Sequence, residues 1–312
     1  MSYYSDKSVF VTGGHGFLGK HLVRKLEEGG AYEVWAPTRA DLDLLDQEKL
    51  MGYMGSMSPD IVFHLAAHVG GIHYNMQNPA YLIHDNVSMA INIMRASYLY
   101  GAKVVAAGSV CAYPEFTPVP TIEKNLYNGY PEASNGAYGN AKRILLELQR
   151  AYYDQGDLPG AHLVSANLYG PGDNFDPGSS HMVPALIVKI QNAIDNGDDR
   201  IIVWGTGNAS RDLLYVEDAA DAYIAAGELI DDPEPVNIAS NRESPVHFIV
   251  KKLMQIMGFS GELVYDTTKP DGQKRRVFRV DRMVELTGWV PETDLDEGLR
   301  NTVQWYRESL EC

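Results

Sequence analysis

The sequence predicts an α/β protein: a doubly wound, Rossmann-type parallel sheet with a smaller α/β substrate unit in the C-terminal part. Two observations carry this. Short apolar runs alternate with amphipathic stretches through the first half of the chain, as βα units around a parallel sheet require. The first apolar run, Ser8–Thr12, passes directly into Gly13-Gly14-His15-Gly16-Phe17-Leu18-Gly19 and then into a helical pattern through Leu22, Val23 and Leu26. Strand, glycine turn and helix in that order let a chain backbone approach a pyrophosphate, which then lies on the helix N-terminus.

The later elements follow the same logic. Tyr32–Ala36 reads as the second strand, followed by Pro37-Thr38-Arg39. A chain that binds NAD usually has an acid here for the ribose hydroxyls; Arg39 instead suits a ribose 2′-phosphate and favours NADP(H). Asp46 is placed to cap the next helix or to meet the adenine side. A third strand, Asp60–Ala67, ends in the small residues Ala66 and Ala67. A helix is expected over Ala80–Tyr100, with Val87, Ile91 and Met94 as its core face. Val104–Ala107 is the fourth strand and leads through Gly108 into Ser109; Asn135–Gln149 is helical, and Leu163–Asn167 is a further strand. The glycine- and proline-rich run Tyr169–Gly178 reads as a long functional loop. Residues 1–170 are expected to form the dinucleotide-binding domain, with 212–240 returning to it, and 171–312 the substrate domain.

Composition narrows the partners. The 312 residues carry a formal charge of −15, which argues against nucleic acid or an anionic membrane as partner. No apolar run is long enough to span a bilayer and the first residues are polar, so neither a span nor a signal peptide is expected. Two cysteines, Cys111 and Cys312, make no disulfide framework and fit a reducing, cytoplasmic setting. Among the few basic clusters, Pro270–Arg276 is a candidate diphosphate site.

The chemistry concentrates in Ser109-Val110-Cys111 and in Tyr138-Gly139-Asn140-Ala141-Lys142. Tyr138 and Lys142 are one helical turn apart and share a face. An ammonium beside a phenol is expected to lower the phenol's pKa, so that it can exchange a proton with a sugar oxygen.

The glycine loop with Ser109, Tyr138 and Lys142 resembles the extended short-chain dehydrogenase/reductase family over essentially the whole chain. His68–Ile72, Ser109–Pro114, Asn167–Pro171 with Asp173–Phe175, Ser180–Leu186 and Lys269–Gly272 are similar to the branch that acts on GDP-4-keto-6-deoxy-D-mannose as a 3,5-epimerase and 4-reductase. That resemblance implies a GDP-sugar substrate, NADPH as cofactor and a homodimer built on the helices near 80–100 and 136–156. It implies catalytic roles for Ser109, Cys111, Tyr138, Lys142 and His181, with Cys111 and His181 as base and acid on opposite faces of the sugar. Cofactor contacts are implied for Gly13, Gly14, His15, Gly16, Phe17, Leu18, Gly19, Arg39, Leu42, Ala66, Ala67, Ala107, Gly108, Lys142, Asn167, Leu168 and His181. Substrate contacts are implied for Asn167, Lys189, Trp204, Arg211, Asp271 and Arg276. The family carries an arginine where His15 stands, which leaves more of the 2′-phosphate to Arg39. Two other readings stay open at this stage: a GDP-sugar epimerase with tightly held NAD and no net redox, and a redox-sensing protein on the same fold.

Overall fold

In the computed structural model, which describes residues 2–269 and 273–311, six parallel strands form the central sheet. They are β1 (Ser8–Thr12), β2 (Glu33–Trp35), β3 (Ile61–His64), β4 (Lys103–Ala107), β5 (Gly160–Ser165) and β10 (Pro235–Ile238), in the spatial order β10-β5-β4-β3-β1-β2. The order reverses between β1 and β3, and in open α/β sheets a ligand lies in the crevice beyond the strand ends at such a point. The loops after β1, β3 and β4 all open there.

Helices cover both faces. On one lie α1 (Phe17–Glu28) and α7 (Val216–Leu229); on the other lie α2 (Gln47–Met57), α4 (Pro79–Tyr100) and α5 (Gly136–Gly156). The short α3 (Ile72–Gln77) precedes α4. The α1–α7 contact is tied by charge: Arg24 and Lys25 both reach Glu217, and Lys25 also reaches Asp221. Asp46 caps α2, its carboxylate accepting from the Lys49 N–H at 3.1 Å.

Two expectations are corrected. The buried face of α4 runs through Leu82, Asn86, Ala90, Ile93, Met94 and Ser97, whereas Ile91 is 44% exposed. Asn86 holds the backbone of His68 and Asn92 the carbonyl of Leu44, so polar residues occupy a face that hydrophobicity alone misassigns. The single strand expected over Leu163–Asn167 is two. β5 ends at Ser165, and after Ala166 the chain enters β6 (Asn167–Tyr169), which leaves the central sheet and pairs with β9 (Leu213–Tyr215).

The remaining strands, β7 (Arg200–Trp204) with β12 (Glu262–Asp266), and β8 (Ser210–Arg211) with β11 (Ser244–Pro245) and β13 (Arg275–Arg276), form small sheets. With α6 (Met182–Asn196), α8 (Val246–Met257) and α10 (Leu295–Glu311) they enclose a separate apolar core, including Ile187, Ile249, Leu253 and Leu299. The short α9 (Asp281–Thr287) packs Met283 back onto the core of the central sheet. Among the described residues no helix is long and apolar enough to cross a membrane.

Candidate active site

The glycine loop owes its shape to close approach. Gly13 has φ 71°, and a Cβ there would press on the backbone of Ala66 at the end of β3. A Cβ on Gly19 would collide with the carbonyl of Gly13. Gly16 is the N-cap of α1 and no side chain caps that helix. The N–H groups of its first turn therefore face the loop with the positive end of the helix dipole, a setting suited to a diphosphate. His15 ties the glycine loop to the end of β2: its Nε2–H donates to the carbonyl oxygen of Ala36 at 2.8 Å, which requires the Nε2–H tautomer. Arg39, shortly after β2, is 76% exposed and makes a 3.6 Å ion pair to Asp43. Leu42 is 4% exposed and packs in the core with Phe10 and Leu50. Phe17, Leu18, Ala66, Ala67, Ala107, Asn167 and Leu168 are half-buried around the crevice, and Gly108 is buried beneath it.

Beyond β4 the chain makes a tight turn. Ser109 caps the one-turn helix Val110–Ala112, its hydroxyl accepting from the Cys111 N–H at 3.2 Å. The turn is pressed onto the first turn of α5, where a Cβ on Gly139 would collide with the carbonyl of Cys111. Arg143 fastens the same junction, donating to the carbonyl of Ala112 at 2.8 Å. This packing puts Tyr138, Ser109 and Cys111 together. The Ser109 hydroxyl and Cys111 are both close enough to the phenol to bear on its ionisation. Cys111 is half-buried and free of any disulfide.

The electrostatics correct the expectation for Tyr138. Burial pushes its phenol up, with Cys111 adding to the rise, and the nearby Ser109 hydroxyl offsets only part of it. Lys142 does not bring the phenol down. Its ammonium donates to the carbonyl of Ala107 at 2.8 Å and stands 5.7 Å from the centre of the Tyr138 ring. Lys142 is itself buried, which lowers its pKa to about 8.

His181 is the N-cap residue of α6, and its ring is 66% exposed. Asp173, in the loop after β6, faces it: Oδ1 is 3.7 Å from His181 Nδ1, and the carboxylate is 2% exposed. That neighbour raises the imidazole's pKa. Sequence reasoning gave Asp173 no role, because an acid in a glycine–proline loop reads as solvated; only its burial marks it.

The substrate candidates spread over the smaller sheets. Lys189 on α6 bonds the carbonyl of Ile202 and lies 5.9 Å over the ring of Trp204, which is 65% exposed. Lys269 approaches the same ring at 5.6 Å. Arg211 bonds the carbonyls of Ser210 and Gln273. Arg276 bonds Gln273 and reaches Glu132 at 3.4 Å. Asp271 lies outside the described residues. A cavity of about 510 Å³ runs beside this wall, lined by Val110, Tyr113, Phe116, Gln273, Arg275 and Arg276 among others.

Residues 9–239 match the model of the NAD dependent epimerase/dehydratase family. The chain belongs to that family. This family member is 36% identical over 313 residues to GDP-L-fucose synthase 1 of Arabidopsis thaliana, spanning 99% of the chain and 97% of that protein. It is 33% identical over 315 residues to GDP-L-fucose synthase of Escherichia coli (strain K12), spanning 98% of each. The family fold matches a crystal structure of a GDP-L-fucose synthetase from Naegleria fowleri bound to NADP, with TM-score 0.92 and 29% identity over 100% of the chain and 96% of that one.

Proposed function

We propose that the protein converts GDP-4-keto-6-deoxy-D-mannose to GDP-L-fucose, epimerising carbons 3 and 5 and reducing the ketone at carbon 4 with NADPH. The observation that carries this is the grouping of Ser109, Cys111 and Tyr138 at the end of β4, in a chain similar over its whole length to proteins named for that product. We assign 1–170 and the returning 212–240 to the cofactor, and the rest of 171–312 to the nucleotide sugar.

Each epimerisation needs a base and an acid on opposite faces of one carbon. The Cys111 thiolate takes the proton beside the ketone, and the His181 imidazolium returns one to the other face; solvent then resets both. The negative charge that develops on the ketone oxygen is held by the hydroxyls of Ser109 and Tyr138, acting as an oxyanion hole. NADPH, when bound, supplies the hydride for carbon 4. Tyr138 gives the proton to the oxygen there. The uncapped N-terminus of α1 and Arg39 would hold the phosphates, and Lys142 the ribose hydroxyls. Trp204, Lys189, Arg211 and Arg276 would hold the GDP portion. A second copy would cover the exposed Tyr81, Ile91 and Leu99 of α4 with Ile144 of α5, making a homodimer.

The division of labour is testable. Cys111→Ala should abolish deuterium wash-in from solvent while still reducing the already epimerised ketone; Tyr138→Phe should impair that reduction most. Equal loss of both steps in folded Cys111→Ala removes the thiol base.

A further inference from the structure

The loop after β6 contains a side chain that stability does not explain. The Asp173 side chain is 2% exposed, and its Oδ2 has no hydrogen-bond partner among the described residues. Its Oδ1 accepts the N–H of Asn174 at 2.7 Å and faces Nδ1 of His181 at 3.7 Å. Among the described ion pairs, His181 is its sole cationic neighbour. Burying a carboxylate with one oxygen unpaired costs several kcal/mol on the order-of-magnitude scale for such groups. The hydroxyl of Ser180, next to His181, is also buried without a partner.

The position of His181 explains why such a neighbour is useful. As N-cap of the 15-residue α6 it sits at the positive end of a helix dipole, which disfavours an imidazolium. Left alone there, the ring would tend to be neutral and a weak acid. The loop's other carboxylate, Asp176, is taken up by Ser179 and Gly178. Asp173 is therefore the acid available to oppose the dipole. Among the described ion pairs the His181 ring takes part in this one alone. A modest rotation closes the 3.7 Å gap to a hydrogen bond. Nδ1–H would then point at Asp173 and fix Nε2–H as the donor toward the ligand crevice.

We propose that Asp173 is a positioning residue for the acid of the epimerisation: its buried carboxylate holds His181 protonated and aims Nε2–H at the sugar. This rests on the reading of His181 as that acid. Asp173 itself touches no substrate. In each of the two epimerisations His181 loses the Nε2 proton to the carbon and regains one from solvent.

The test is Asp173→Asn, which keeps size and removes charge. Three quantities are read: the His181 titration by imidazole NMR, deuterium wash-in at carbons 3 and 5, and reduction of the already epimerised ketone. The expected result is a His181 titration that falls, wash-in slowed by about tenfold or more, a part of the roughly hundredfold or greater contribution of a general acid, and reduction unchanged. A His181 titration equal to wild type overturns the pairing, whatever the catalytic acid is. A lowered titration with normal wash-in overturns the positioning role, and so does equal loss of wash-in and reduction. Wash-in unchanged in His181→Ala would instead sink the underlying reading. Should Asp173→Asn not fold, nitrogen NMR of the wild-type ring decides: Nδ1–H hydrogen-bonded to a carboxylate supports the proposal, and a freely exchanging tautomer mixture overturns it.

Discussion

Gly139→Ala perturbs the site through packing alone. The added methyl would stand 3.1 Å from both the carbonyl carbon of Cys111 and the Cβ of Pro131, and deeper than contact with the Cys111 oxygen. Helix α5 cannot retreat easily, because Lys142 is buried against Ala107 and Leu145 and Leu146 are in the core. The Val110–Ala112 turn must therefore move, carrying Cys111 with it. Overpacking of this kind costs about 1–3 kcal/mol. Alanine recovers about 1 kcal/mol over glycine in a helix. The net loss is about 0–2 kcal/mol, a fall in Tm of at most roughly 8 °C for a chain of this size class. Catalysis should suffer more, since a misplacement near 1 Å can cost about a hundredfold. Thermal unfolding gives the first quantity and deuterium wash-in the second. A variant with wild-type Tm and wild-type wash-in would refute the claim that Gly139 sets the place of Cys111.

Two further predictions concern charge. Burial holds Lys142 at about 8 in the folded chain, below its ordinary 10.5, so between those pH values the unfolded chain binds more protons. Stability conferred on wild type relative to Lys142→Met should then climb from about pH 8 to 10.5 and level off above; a flat difference in denaturant unfolding contradicts it. Arg39→Ser should raise KM for NADPH about tenfold, the loss of one charge-assisted hydrogen bond, and leave NADH unchanged; equal effects on both cofactors dismiss a 2′-phosphate contact.

The sequence showed the βα order and the glycine loop because local spacing encodes both. The break at Ala166 was hidden, since β5 and β6 are both short apolar runs and only pairing with β9 separates them. Ile91 was misread because Asn86 and Asn92 find backbone partners inside the fold. Ser109, Tyr138 and Lys142 were legible by residue type and spacing. Their electrostatics were not: proximity in sequence suggested Lys142 as the dominant influence on Tyr138, while burial outweighs it. Asp173 shows the same limit from the other side, as its meaning comes from burial and from His181 across the loop.

The most direct measurement supplies GDP-4-keto-6-deoxy-D-mannose with NADPH in deuterated water and determines the product and the cofactor consumed. The proposed chemistry predicts GDP-L-fucose deuterated at carbons 3 and 5, with one NADPH oxidised per product. A product bearing solvent deuterium but no NADPH consumption, or a reduced sugar with unlabelled carbons 3 and 5, would contradict an epimerase and a reductase sharing one ketone.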